Sequence, residues 1–186
     1  MALIEYSANL SLDGYIEDED GSLDWSSPSE EVHRYWNRLT EELNGNIMGR
    51  RLYETMIPFW PEALANPQGP DYVDEFARAW DRTRRLVASR TLTSVEGGCE
   101  LIEGDPAEFV AGLRSGEPGV WGVGGPELAD SLQGHGLIDR VRMMVMPVLL
   151  GGGKPFFGQA FSGSELNLLE SRQFSCGSLM LLYELV

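Results

Sequence analysis

A short apolar run that ends in paired glycines and then opens a helix constrains this chain more than any other stretch: Gly119-Val-Trp-Gly-Val-Gly-Gly-Pro-Glu-Leu-Ala-Asp130. Val120 to Val123 predicts a buried strand, Gly124-Gly125 a turn, and Pro126-Glu127 the start of an amphipathic helix. Bare glycine backbone lets a diphosphate come within hydrogen-bonding reach, and the helix start adds unpaired N–H groups and a positive dipole end. Taken alone, the motif fits an unliganded tight turn equally well.

Two further strand ends carry related chemistry. In Asn46-Ile-Met-Gly-Arg-Arg-Leu-Tyr-Glu54 the strand turns at Gly49, with Arg50 and Arg51 opening a helix. In Arg85-Leu-Val-Ala-Ser-Arg-Thr-Leu92 the strand runs into Ser89, Arg90 and Thr91. Ligands of open α/β sheets gather at the carboxyl ends of strands. Arginine there offers phosphate a two-pronged donor. The competing reading has these arginines merely solvating helix ends; their recurrence at successive strand ends favours the ligand.

Charge sharpens the point. The formal net charge is −15, and Lys154 is the only lysine beside the arginines. Such a surface repels nucleic acid and anionic membrane. An anionic ligand therefore needs a local basic pocket, which Arg50, Arg51 and Arg90 can supply. The acidic run Glu17-Asp18-Glu19-Asp20 fits a solvated loop tip and no calcium loop.

Along the chain, Leu3 to Asn9 predicts a strand and Leu10 to Ser27 a loop. Pro28 to Leu43 predicts a helix with Val32, Tyr35, Trp36, Leu39 and Leu43 on one face and His33 on the solvated side. Its start, Ser27-Pro28-Ser29-Glu30, fits a capping box. Strand 46–48, a short helix from Arg51, a proline-rich loop from Pro58 to Pro70 and a helix over 72–82 follow. Strands 85–88 and 99–103 then precede a helix opened by Asp105-Pro106. Beyond the glycine pair, Arg140 to Leu150, Leu166 to Arg172 and Ser178 to Val186 predict strands, the last two antiparallel. The expected architecture is one α/β domain over residues 1–186: a mostly parallel central sheet, antiparallel C-terminal strands, and helices on both faces.

Several classes drop out. With 186 residues and 42% apolar content, the chain suits one globular domain. It has no run of eighteen apolar residues and no basic-then-apolar leader, so a cytoplasmic location is expected. Cys99 and Cys176 read as buried thiols, and His33 and His135 make no metal set. Gly151-Gly-Gly-Lys-Pro155 imitates a phosphate loop, but Pro155 stands where Ser or Thr is needed. Gly122-Val-Gly124 lacks the third glycine of the dinucleotide fingerprint.

Ser11-Leu-Asp-Gly-Tyr-Ile16, Ile47-Met-Gly-Arg-Arg51, Ser89-Arg-Thr91, Val123-Gly-Gly-Pro-Glu-Leu128 and Leu150-Gly-Gly-Gly-Lys-Pro-Phe156 together resemble the dihydrofolate reductase superfamily. The resemblance is greater to its branch containing the reductase domain of bacterial bifunctional riboflavin-biosynthesis deaminase-reductases, and spans nearly the whole chain. It implies a three-layer fold, a homodimer and NADPH lying across the carboxyl edge of the sheet. By that resemblance Gly49, Arg50 and Arg51 hold diphosphate or ribose phosphate, and Ser89, Arg90 and Thr91 surround the adenosine end. Val123, Gly124, Gly125, Pro126, Glu127 and Leu128 cradle the diphosphate, across a cis Gly124–Gly125 peptide, and Ile16 lies against the nicotinamide. The hydride chemistry belongs to the cofactor.

The substrate side admits alternatives. A small heterocycle, pyrimidine- or pterin-like, is expected. The enzyme alternatives are a stand-alone 5-amino-6-(5-phosphoribosylamino)uracil reductase or a dihydrofolate reductase; the other class is a non-catalytic nucleotide-binding module. No deaminase zinc motif precedes the domain, so the chain is expected to act alone. Trp25 and Glu30 are spaced much as the tryptophan and acid of folate reductases, which nominates Glu30 as a catalytic acid, although a capping box also explains a glutamate there. Asp13 either orients substrate or bonds its own loop. Asn9, Tyr15, Trp25, Tyr53 and Trp60 are candidates to hold the heterocycle, and Arg34, a helical turn from Arg38, to hold a phosphate.

Overall fold

In the computed structural model, which describes residues 1–186, the first strand is the centre of the molecule. It is buried from both sides at Ile4, Glu5 and Tyr6. The strands are β1 (Ala2–Ser11), β2 (Tyr15–Glu17), β3 (Gly45–Gly49), β4 (Arg85–Ala88), β5 (Glu100–Leu101), β6 (Gly119–Gly124), β7 (Arg140–Met146), β8 (Lys154–Pro155), β9 (Leu166–Gln173) and β10 (Leu179–Leu185). Eight form one sheet in the order β5-β4-β3-β6-β1-β7-β10-β9, while β2 and β8 make a small separate ladder. Pairings from β5 across to β7 are parallel. Only β10 runs against its neighbours.

The helices are α1 (Glu30–Glu42), α2 (Arg50–Met56), α3 (Trp60–Ala65), α4 (Asp71–Arg82), α5 (Pro106–Arg114) and α6 (Pro126–Gln133). Neighbouring strand residues go to opposite layers, as a sheet covered on both faces requires. Ile47 and Leu86 join Ala107, Val110, Ala129 and Leu132 under α5 and α6. Met48 and Val87 instead meet Tyr53 and Trp80 of α2 and α4. Further along the sheet, Val32 of α1 closes over Met144, Met146, Met180 and Phe174. Beneath α1 lies a buried ion pair: Arg142 Nε donates to Glu5 Oε1 at 2.6 Å and Nη2 to Oε2 at 3.1 Å. The Arg142 guanidinium also donates to the Tyr35 hydroxyl.

The boundaries differ from expectation where local chemistry intervenes. The loop over 10–27 contains β2, and the proline-rich stretch contains α3, with Pro61 in its first turn, where a missing N–H costs nothing. β7 stops at Met146 because Pro147 cannot donate to the ladder. β5 shrinks to Glu100–Leu101. Helix α1 starts at Glu30, capped by Ser29, whose Oγ accepts the Val32 N–H at 3.4 Å. The cap therefore sits two residues later than the box Ser27-Pro28-Ser29-Glu30 implied, and its third helical residue is Val32, which cannot reciprocate. Cys176 is exposed and Cys99 half-buried, both as free thiols.

Candidate active site

The parallel strands deliver their carboxyl ends to one edge, and a cleft of about 1290 Å³ opens there. Its middle is made by glycine. β3 lies beside β6, with Met48 opposite Gly124 and Gly49 opposite Ala88 of β4. Gly125 leaves the strand at φ +99°, a conformation open to glycine, and N-caps α6. A methyl built on Gly125 would lie 3.8 Å from the Gly49 nitrogen, so two bare backbones face each other across a narrow gap. A methyl on Gly124 would instead run into the Leu52 side chain. The first helical bond of α6 is Ala129 N–H to the Gly125 carbonyl, at 3.0 Å, leaving the Glu127 and Leu128 amides ahead of it at the positive end of the helix. The Gly124–Gly125 peptide is trans, as is every peptide in the chain. The expected cis bond is thereby corrected: the positive φ of Gly125 turns the chain without it.

Cations ring this cradle. Arg50 Nε donates to Glu54 at 2.7 Å and Nη1 to Thr91 Oγ1 at 2.9 Å. Arg51 stands 3.6 Å from Glu127, and Lys154 reaches Glu127 at 3.1 Å and Glu17 at 3.5 Å. Arg90 is exposed and forms no ion pair. It is presented by a turn in which Ser89 Oγ accepts the Thr91 and Leu92 amides at 3.2 and 3.0 Å. Bare backbone, helix-start amides and arginine forks suit a diphosphate carrying a further phosphate.

The other end of the cleft is aromatic. Met56 ends α2, and Trp60 Nε1 lies 3.3 Å from its sulfur. The Trp60 ring packs 4.3 Å from Phe76 of α4, and His33 of α1 stands 5.7 Å from Phe76 and 6.2 Å from Trp60. On the sheet side, Asn9 Oδ1 accepts the Trp36 Nε1–H at 2.9 Å.

The profile of the RibD C-terminal domain family matches residues 2–180. The chain belongs to this family. It is similar to the uncharacterised protein YyaP of Bacillus subtilis (strain 168), at 26% identity over 176 residues, covering 94% of this chain and 90% of YyaP. Among solved structures, a Shewanella sp. PV-4 protein provisionally named for riboflavin biosynthesis superposes with a TM-score of 0.78 at 26% identity, over 100% of this chain and 99% of that one. RibD of Acinetobacter baumannii, at 16% identity and TM-score 0.72, shares the fold over 58% of its length. The family's dihydrofolate-reductase-like architecture is therefore the architecture of this chain.

Within that frame, Ile16, Gly49, Arg50, Arg51, Ser89, Arg90, Thr91 and the run Val123 to Leu128 all line the one cleft, as do Asn9 and Trp60. The remaining candidates sit elsewhere. Asp13 is a clamp outside the cleft: it accepts the Ser11 hydroxyl at 2.6 Å, the Gly151 amide at 2.7 Å and the Leu150 amide at 3.1 Å. Those bonds, the Ser11 hydroxyl first, lower its pKa to about 2, and they join the Ser11–Ile16 motif to the glycine-rich turn at 151–155. Tyr15 pairs with Pro155 in the β2–β8 ladder. Glu30 points along α1 to Arg34, at 2.9 Å. Arg34 is further held by Glu75 of α4 at 2.5 Å, so it braces two helices instead of facing a phosphate. Tyr53 is buried, its hydroxyl accepting the Glu96 amide at 2.9 Å. Trp25 packs with the α1 cluster.

His33, Trp36, Phe76 and Trp80 also line the cleft, although the sequence nominates none of them as a site residue. The expectation that His33 faces solvent fails because α1 is covered on two sides. Val32, Tyr35 and Trp36 meet the sheet, while His33 and Asn37 meet α4. The spacing of His33, Trp36 and Thr40, three then four apart, was the available signal.

Proposed function

We propose that this protein is an NADPH-dependent reductase that delivers hydride to a small pyrimidine- or pterin-like heterocycle. The observation that carries the reading is the glycine gap between Gly49 and Gly125, fringed by Arg50, Arg51 and Arg90. A reduced nicotinamide, when bound, supplies the hydride. The protein's share is to hold the diphosphate on Gly124 to Leu128, receive the additional phosphate on Arg50 and Arg90, and press Ile16 against the ring that reacts. Family membership supports a reductase. The acidic surface, −15 overall, argues against nucleic acid or membrane as partner, and no helix is long and apolar enough to cross a membrane. A cytoplasmic location goes with this reading.

We also take the working state to be a homodimer. β9 is the outer strand of the sheet, paired on one side only, and exposes Leu166, Leu168 and Leu169. An unpaired apolar edge invites a second copy. Sedimentation of the wild type against a Leu168→Lys variant tests this part. Calorimetric titration with NADPH and NADH, followed by cofactor oxidation with pterin and pyrimidine panels, tests the rest. Micromolar NADPH binding with no turnover on any heterocycle would leave the nucleotide-binding module as the better description.

A further inference from the structure

We propose that the aromatic end of the cleft takes a flat heteroaromatic ring that carries no phosphate, with His33 Nε2 accepting a hydrogen bond from it. The inference rests on the reductase reading for the opposite end, which places the cofactor there.

The His33 geometry defines which nitrogen is offered. Asn37 Nδ2 donates to the Tyr72 carbonyl at 2.8 Å and to Glu75 at 3.2 Å. Its Oδ1 is therefore the end that meets His33 Nδ1, 2.9 Å away. An amide oxygen only accepts, so in the neutral imidazole the proton is assigned to Nδ1 and the lone pair to Nε2. Nε2 has no protein partner and is open to solvent. Glu75 is in turn held by Arg34 at 2.5 Å, and that pairing draws the Glu75 carboxyl below the usual range. The imidazole is thus oriented by a chain running from Arg34 through Glu75 and Asn37.

Around that acceptor the walls are rings. Trp60 and Phe76 pack 4.3 Å apart, His33 lies edge-on to Phe76 with its ring plane at 87°, and Trp36 forms the floor with Asn9. Such walls favour a flat, polarisable guest with few polar contacts.

The charges point the same way. The cations that line the cleft are Arg50, Arg51, Arg90 and Lys154, and their contacts with Thr91, Glu54 and Glu127 keep them at the glycine end. Helix α2 separates Arg50 from Met56 by about 9 Å. Arg34 is spent between Glu30 and Glu75. Asp24, which also lines the cleft and lies two residues from the Ser26 carbonyl that accepts the Asn9 amide, is a carboxylate. A ribityl phosphate placed here would lose its hydration without gaining a partner.

The test is tryptophan-fluorescence titration of the full chain under saturating NADPH, which blocks the basic end. The probes are 7,8-dihydropterin, 5-amino-6-(ribosylamino)uracil and 5-amino-6-(5-phosphoribosylamino)uracil. We expect the phosphate-free probes to bind about tenfold or more tightly than the phosphorylated one. His33→Leu should weaken them about tenfold, with His33→Gln recovering part of the loss and NADPH affinity unchanged in both. If His33→Leu does not fold, Trp60→Ala carries the same comparison. Equal or tighter binding of the phosphorylated probe, no binding of any probe, or indifference to His33→Leu overturns the proposal. NADPH affinity on the same samples shows separately whether the cofactor reading stands.

Discussion

Arg50 donates through Nη1 to Thr91 Oγ1 at 2.9 Å, joining the start of α2 to the turn after β4. The contact spans two parallel strands and aims one arginine at the place where Arg90 stands exposed. An anion between them would gain charge-assisted bonds worth about 1.5–3 kcal/mol. Arg50→Ala combined with Arg90→Ala should therefore weaken NADPH binding by about one to two orders of magnitude while changing NADH binding little. Calorimetry with both cofactors checks it; an unaltered preference would remove the phosphate role.

Gly125 is the second pivot. Alanine has room there, its nearest neighbour being 3.8 Å away, but must adopt φ +99°. Gly125→Ala should lower stability by about 1–3 kcal/mol through backbone strain. It should also weaken NADPH, because relieving that strain rotates the Glu127 amide away. Denaturant melts and calorimetry on one preparation separate the two effects.

Asp13 should act on stability through pH. Its folded pKa is lowered to about 2, below the ordinary carboxyl value of about 3.9. A depressed carboxyl stabilises the fold above its unfolded pKa, and the contribution is lost as pH falls through the folded one. The melting difference between wild type and Asp13→Ala should be full at neutral pH and close between about pH 4 and pH 2. A difference that stays constant over that window would refute the clamp.

Two acidic residues separate surface from core. Glu30 is exposed and pairs only with Arg34, so Glu30→Gln should change stability by less than about 0.5 kcal/mol and leave NADPH affinity alone. Glu5 is buried against Arg142. Arg142→Met should cost about 3–5 kcal/mol by stranding a buried carboxylate, and adding Glu5→Leu should recover most of it. Chemical denaturation of the three variants measures both claims.

What the sequence alone determined was local. Gly49, Ser89 and Gly124-Gly125 follow short apolar runs, so their places at strand ends were legible from chemistry that acts within a few residues. Because parallel strands bring their carboxyl ends to one edge, the glycine-and-arginine half of the cleft followed from topology. The other half was decided by partners distant in the chain. Glu30 and Arg34 looked like ligand groups until α4 brought Glu75 to 2.5 Å from Arg34. Asp13 looked catalytic until the turn at Leu150 and Gly151 offered it two amides, 137 and 138 residues away. His33 looked solvated until Trp60, Tyr72 and Phe76 closed around it. A side chain's chemistry is written in the sequence, but whether it is free to act depends on which hydrogen-bond partners and burial the folded chain gives it.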